Sequence, residues 1–296
     1  MTRSTTRIIG SLEAIQPGYS ALYCDLWGCL HDGVRAFPAA VAALERFRSH
    51  GGKVLLLTNS PRPAGDVARQ LDLLGAPRSC WDAIVSSGDA AQAAMVAGQF
   101  GRRVFHIGPE RDLVFFEGPD GTPFDIERVP LDEAEGIVCT GLFDDRTETP
   151  ADYRAIILDG KTRGLKLLCA NPDIVVDVGD RRIWCAGAIA AAYTEAGGQS
   201  YYFGKPHPPI YALARQRLIE VTGFEVPSDA ILCVGDGIAT DILGAMGESL
   251  DSLFITGGLA AEDTGTTPQA GPEPRLLDSY LESVRLAPML AMSYLR

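Results

Sequence analysis

The sequence predicts an α/β chain built on a doubly wound parallel sheet, interrupted midway by a second α/β segment. Three observations predict it. Short apolar runs of strand length recur along the chain, helix-like segments lie between them, and the texture changes from about residue 102 to residue 198. The runs are Ala21–Cys24, Val54–Leu57, Ala83–Val85, Val104–Ile107, Gly136–Cys139, Leu165–Cys169, Ile231–Val234 and Leu253–Ile255. Runs with so little polar alternation suit strands buried on both faces, as in a parallel sheet covered by helices on two sides.

The connecting segments carry helix punctuation. Pro38–His50 is followed by Gly51 and Gly52, Ala64–Leu74 by Gly75, and Ala186–Ala196 by Gly197 and Gly198. Glycine is the usual stop because the residue after a helix commonly turns left-handed. Tyr201–Phe203 reads as a strand and leads through Gly204-Lys205-Pro206 into a helix near Pro208, a favourable first-turn position for proline. Between residues 102 and 198 the segments are shorter and separated by turn-rich stretches such as GPDGTPFD and FDDRTETPAD, as expected of a domain inserted into another. Residues 261–275, AEDTGTTPQAGPEPR, are expected to form a flexible loop before a last helix from about Leu276. There is no internal repeat.

Composition excludes several classes. With 296 residues, 46% apolar and 8% aromatic, the chain buries a full core and is neither disordered nor fibrous. Twenty-six Lys and Arg against 38 Asp and Glu give a net charge of −12, the wrong sign for a protein that lies along a phosphate backbone, so no nucleic-acid partner is expected. No run of about 18 apolar residues exists, and the N-terminal stretch lacks the apolar region and cleavage site of a secretory signal. A cytoplasmic chain without a membrane partner is expected. The seven cysteines are scattered and lack zinc spacing, so they read as small core hydrophobes. The first strand is followed by DLWGCLHDG and not by a G-x-G-x-x-G turn, which excludes a dinucleotide enzyme.

In an open parallel sheet, ligands bind beyond the carboxyl ends of the strands. Three strand ends carry chemistry: Asp25, then Thr58-Asn59-Ser60, then Asp236 with Asp241 five residues on. An aspartate after a strand is commonly a turn former or helix cap, and only the combination is informative. Asp25 and Asp236 together suit a hard cation such as Mg²⁺, which takes few carboxylates and completes its shell with water and phosphate oxygens. Thr58 and Asn59 add neutral donors for a phosphate oxygen. Lys205, held between glycine and proline, would neutralise carboxylates and phosphate.

The order Asp25, Thr58-Asn59-Ser60, Gly204-Lys205-Pro206, Gly235-Asp236 with Asp241 resembles the four motifs of the haloacid dehalogenase superfamily. The finer resemblance is to its NagD-like, class IIA branch of sugar, nucleotide and nitrophenyl phosphatases, supported by Asn171-Pro172-Asp173 and Gly187–Ala191. The resemblance covers nearly the whole chain. It implies a Rossmann-like core from residues 1–100 and 199–296, with an α/β cap domain, residues 101–198, inserted between the second and third motifs. It implies that Asp25 is the nucleophile of a Mg²⁺-dependent phosphatase acting on a small phosphorylated metabolite. Asp25, Asp236 and the backbone carbonyl of Trp27 would hold the Mg²⁺, Thr58 and Asn59 the phosphate. Lys205 would stabilise the nucleophile and the transferring group, with Asp241 an acid behind them, near the metal or Lys205. Asn171, Pro172, Asp173 and the nearby Asp177–Arg181 stretch would form the cap wall facing the substrate, and a homodimer is consistent with the branch. Arg181 and Arg182 read as a solvated turn, and Trp184 as core. The helical cap of phosphonatases and dehalogenases would follow the first motif, whereas here the insertion comes later.

One position departs from the pattern. The superfamily motif is Asp-x-Asp-Gly, its second aspartate being the general acid and base, and this chain has Trp27 there. An indole exchanges no proton at neutral pH, and a factor of roughly 10²–10⁴ in rate is at stake. Three readings follow: another group such as His31 or Asp32 shuttles the proton, the substrate has a leaving group that needs no acid, or the chain is a catalytically degenerate phosphometabolite-binding or regulatory protein.

Overall fold

The computed structural model describes residues 6–178 and 181–296. Its strands are β1 (Arg7–Ile8), β2 (Ala21–Cys24), β3 (Lys53–Thr58), β4 (Ala83–Ser86), β5 (Arg103–Ile107), β6 (Glu127–Arg128), β7 (Gly136–Cys139), β8 (Lys166–Cys169), β9 (Val175–Val178), β10 (Arg181–Trp184), β11 (Gln199–Tyr202), β12 (Ile231–Gly235), β13 (Asp251–Ile255) and β14 (Leu290–Met292). The helices are α1 (Pro38–Ser49), α2 (Ala64–Leu74), α3 (Ser87–Val96), α4 (Arg154–Thr162), α5 (Ala186–Glu195), α6 (Pro208–Thr222), α7 (Leu243–Gly247) and α8 (Pro274–Val284). All eight apolar runs of the sequence are strands. The glycine stops also hold: Gly51, Gly75 and Gly197, which follow α1, α2 and α5, have left-handed φ of 92°, 82° and 91°.

The chain forms two compact units. The first comprises the residues up to Thr58, with Arg69–Val85 and Tyr211–Arg296; the second comprises Asn59–Ala68 and Ser86–Ile210. In the first, seven strands lie in the order β1-β14-β13-β12-β2-β3-β4. From β2 the chain proceeds to β3 and β4 on one side, and from β12 to β13 and β14 on the other. The winding therefore reverses between β2 and β12, which pair in parallel with Cys24 opposite Val234. Such a reversal opens a crevice at the carboxyl ends of the two strands. Every residue of β2 and β12 is buried. Helix α8 packs onto β13 and β14 through Leu277 and Leu281, which share a buried apolar cluster with Phe254 and Ala291.

In the second unit five strands lie in the order β11-β8-β7-β5-β6, parallel in every pairing. Ile137, Leu167, Ile189 and Tyr193 join in its core, which binds β7, β8 and α5. Helix α3 begins with Ser86 accepting from the Asp89 backbone N–H, and the Asp89 side chain accepts from Ser86 in return. This capping box satisfies two donors of the first turn.

Three local expectations are corrected. The 261–275 segment is anchored, because Thr264 and Thr266 are buried and joined to Thr256: Thr266 Oγ1 donates to Thr256 Oγ1 at 2.8 Å, and Thr264 Oγ1 donates to the Ala260 carbonyl at 2.8 Å. Trp184 is not core but 39% exposed on β10, in a two-stranded antiparallel hairpin with β9. Arg182 in that hairpin pairs with Asp177 across the strands at 2.8 Å, and Arg181 donates to the Arg146 carbonyl, so neither lies in a free turn. Gly179 and Asp180, within the stretch expected near the cap wall, lie outside the described residues. No described helix is long and apolar enough to cross a membrane. All seven cysteines are buried and unpaired by disulfides, as small core hydrophobes should be.

Candidate active site

The first unit places Asp25 and Asp236 at its reversal point. Asp25 follows β2, and its backbone N–H continues the sheet by donating to the Val234 carbonyl at 2.8 Å. Asp236 follows β12. The carboxylates of both, together with the Cys29 thiol, offer ligand atoms within 4.8 Å of one another, and all three residues are buried. Burial, then the charges of Asp236 and Asp25, push the Cys29 thiol well above its usual range. The thiol stays protonated.

The backbone around Asp236 is shaped by glycine. A Cβ on Gly28, whose φ is +71°, would lie 2.2 Å from Asp236 Oδ2, and one on Gly258 would lie 1.9 Å from the same atom. Leu259 N–H donates to Asp236 Oδ2 at 3.0 Å, which fixes the carboxylate's rotation. Asp241 sits on the π-helical turn Ile238–Ile242 and curls back to accept from Gly237 N–H at 3.0 Å. A Cβ on Gly235 would come within 2.0 Å of Asp241 Cγ. Gly258 and Leu259 were not legible as site residues; the only hint was a glycine pair after an apolar strand.

Two hard, buried carboxylates at the ends of neighbouring strands, one of them seated closely against glycines, fit a small divalent cation. Residues Leu26–Asp32 wrap this corner as a tight loop, with Leu30 and His31 N–H both donating to the Leu26 carbonyl. Trp27 lays its ring edge-on to His31, centroids 4.9 Å apart. His31 is buried, and burial lowers it to about 4. Its Nδ1 accepts from Gly33 N–H at 3.1 Å, so the ring is a neutral structural acceptor. Burial would raise Asp32, but the backbone N–H groups of Arg35 and Val34 outweigh it and hold the carboxyl below its usual range. Neither side chain is arranged as a proton donor at neutral pH.

Thr58 ends β3, buried at the edge of the first unit. The second unit gathers Asn59, Asp173 and Lys205. Asn59 Nδ2 donates to Asp173 Oδ1 at 2.8 Å and to the Lys205 carbonyl at 3.0 Å, while its Oδ1 accepts from Lys205 N–H at 2.7 Å. Both amide hydrogens are thereby used. The Asn59 side chain, expected as part of the phosphate-binding pair, forms a clasp on the Lys205 main chain. Asn171 Oδ1 accepts from Asp173 N–H at 3.0 Å, so Asn171 shapes the turn that presents Asp173, and Asp173 faces Asn59. On their observed contacts these two residues support the Lys205 loop.

Comparison with known proteins agrees with the motifs. A family model described as haloacid dehalogenase-like hydrolase matches residues 22–119, and a second, HAD-hydrolase-like model matches residues 202–283. A haloacid dehalogenase-like hydrolase of Brucella suis is 40% identical, covering 97% of this chain and 100% of its own, with a TM-score of 0.85. The chain belongs to the haloacid dehalogenase-like hydrolases. Within that family it is similar to ribonucleotide monophosphatase NagD of Escherichia coli, 26% identical over 247 residues, covering 81% of this chain and 88% of the relative. A glycerol phosphate phosphatase of Mycobacterium tuberculosis, solved in complex with calcium, is 26% identical with a TM-score of 0.60, covering 83% of this chain and 68% of that one. The members with these names are phosphatases of small phosphorylated metabolites.

Proposed function

We propose that this hydrolase is a Mg²⁺-dependent phosphatase of a small phosphorylated metabolite that works through an aspartyl phosphate on Asp25. The observation that carries the reading is the buried Asp25–Asp236 pair at the reversal point of the first sheet. Asp25, Asp236 and the Trp27 carbonyl would hold the cation, which would supply positive charge against the phosphoryl oxygens when bound. Asp241 acts behind it by fixing the Gly237 turn. Thr58 would donate to a phosphoryl oxygen, and Lys205 would balance the negative charge of the nucleophile and the transferring group. The inserted segment, residues 101–198, would select the organic half of the substrate.

In the first step an Asp25 oxygen forms a bond to phosphorus as the bond to the leaving oxygen breaks, the electron pair departing with that oxygen. In the second step water attacks phosphorus and gives a proton to a phosphate oxygen or to solvent as the bond between phosphorus and the Asp25 oxygen breaks, which returns Asp25 as carboxylate and releases inorganic phosphate. Trp27 can neither protonate the leaving oxygen nor deprotonate the water. The loop therefore favours substrates whose leaving group departs as an anion, such as acyl or aryl phosphates.

The test is Mg²⁺-dependent phosphate release from aryl, acyl and alkyl phosphates by wild type, Asp25→Asn and Trp27→Asp. Turnover by wild type that stops with Asp25→Asn is expected. If only Trp27→Asp turns over, the natural chain is a phosphometabolite-binding protein and the proposal fails.

A further inference from the structure

We propose that Asn59 and Asp173 are positioning residues for Lys205, acting through its main chain and not on the phosphate. This rests on the phosphatase reading above for its kinetic consequence, and on geometry alone for its structural one. Asn59 and Lys205 are 3% and 2% exposed. The planar amide of Asn59 pairs with both backbone groups of Lys205 at once, accepting from its N–H at 2.7 Å and donating to its carbonyl at 3.0 Å. A strand makes the same double contact with a neighbour, and here one side chain reproduces it on a residue that no strand holds. The remaining amide hydrogen goes to Asp173 Oδ1 at 2.8 Å, a charge-assisted bond that fixes which end of the amide faces which backbone group.

The surroundings leave little freedom. A Cβ on Gly204 would lie 2.4 Å from Asn59 Oδ1, 2.7 Å from Pro172 Cδ and 2.8 Å from Ser87 Oγ, so only glycine admits the clasp from the preceding residue. Pro206 follows and restricts the Lys205 backbone further. Asp173 is itself held by its N–H to Asn171 Oδ1, and its carbonyl lies so close over Gly187 that a Cβ there would be 2.5 Å away. The result is a continuous hydrogen-bonded support from Asn171 through Asp173 and Asn59 to the backbone of Lys205.

A buried asparagine with satisfied bonds is commonly structural only. This one differs because two of its three bonds are to the backbone of the residue that carries the charge. Displacement of a group by about 1 Å costs on the order of 10²-fold in rate. Residues that act as one unit are strongly non-additive.

The experiment measures kcat and KM for Asn59→Ala, Lys205→Ala and the double variant, with amide hydrogen exchange of the peptide covering Gly204–His207. Asn59→Ala is expected to lower kcat about 10–100-fold with KM nearly constant, to add almost nothing in the Lys205→Ala background, and to accelerate exchange at Lys205. Asp173→Asn, which keeps an acceptor for Asn59, is expected to retain most of the kcat that Asp173→Ala loses. A raised KM with unchanged kcat, or an equal loss in both backgrounds, would show Asn59 contacting the phosphate itself and overturn the proposal. If wild type releases no phosphate, the functional reading has failed, and the exchange measurement alone decides: an unchanged Lys205 amide in Asn59→Ala overturns positioning. If Asn59→Ala does not fold, the Asp173→Asn and Asp173→Ala pair carries the same comparison.

Discussion

Gly258→Ala isolates the position of one carboxylate. Gly258 follows β13, and an added methyl would sit 1.9 Å from Asp236 Oδ2, 2.6 Å from its Cγ and 2.7 Å from its Cβ. Its φ is not left-handed, so alanine meets no backbone strain and the whole effect comes from contact. Relief from 1.9 Å to an ordinary 3.4 Å contact moves the carboxylate by roughly 1.5 Å and pulls it off Leu259 N–H. A shift of that size should lower kcat/KM at least about 100-fold and weaken Mg²⁺ binding, while overpacking costs about 1–3 kcal/mol of stability. Gly75→Ala is the control: its φ is +82° with nothing within 4 Å, so it carries about 1–2 kcal/mol of strain without touching the site. Calorimetric Mg²⁺ titration, thermal melts and phosphate release on both variants separate the two effects. A folded Gly258→Ala protein with wild-type cation affinity and turnover would refute the assignment of Asp236.

Three further outcomes follow from the structure. Thr266→Val breaks the buried Thr256–Thr266–Thr264 chain of hydroxyls and should cost about 1–3 kcal/mol, lowering the melting temperature by several degrees; an unchanged melt would mean that the 261–275 segment is loosely held after all. His106 is lowered to about 4 by burial and then by the Arg128 charge. Above the ordinary histidine value this contribution to stability is complete. As pH falls from about 6.5 toward 4, the unfolded chain takes up a proton that the folded chain refuses, and stability declines. An imidazole NMR titration that finds a midpoint near 6.5 in the folded protein would contradict this. Cys29, buried and protonated, should resist iodoacetamide in the native protein and react on denaturation; rapid native labelling, located by mass spectrometry, would show the corner to be open.

The sheet was legible because its strands are apolar on both faces, and the pairing of Asp25 with Asp236 followed from the rule for strand ends in a wound sheet. What escaped the sequence is tertiary in origin. Asn59 and Lys205 are 146 positions apart, and nothing in Thr-Asn-Ser distinguishes an amide that binds phosphate from one that clasps a backbone. β14 has only three residues and gains its identity from pairing with β13 and β1. Trp184 reads as core by its size, yet β10 belongs to a two-stranded hairpin in which all four of its residues are at least partly exposed. The 261–275 segment has the composition of a loop, and its order comes from threonine hydroxyls bonded to residues on either side of a turn.

The same distinction bears on Trp27. Its ring does more than occupy the place of an acid, because it packs on its own loop: a Cβ on Gly33 would lie 2.3 Å from Trp27 Cζ3, and Gly33 in turn donates its N–H to His31. Tryptophan, glycine and neutral histidine thus form one interlocked turn, and Asp32 is committed to the N–H groups of Val34 and Arg35. His31 and Asp32, the two titratable side chains nearest to Trp27 in this turn, are thus both committed to backbone N–H groups. Turnover should then depend steeply on leaving-group acidity, with aryl and acyl phosphates favoured over alkyl phosphates by roughly the 10²–10⁴ that a general acid contributes. Trp27→Asp should flatten that dependence by accelerating the poor leaving groups most. A wild-type enzyme that hydrolyses alkyl and aryl phosphates at equal rates would show that a proton donor reaches the leaving oxygen from outside this loop, and the specialisation inferred from Trp27 would fall.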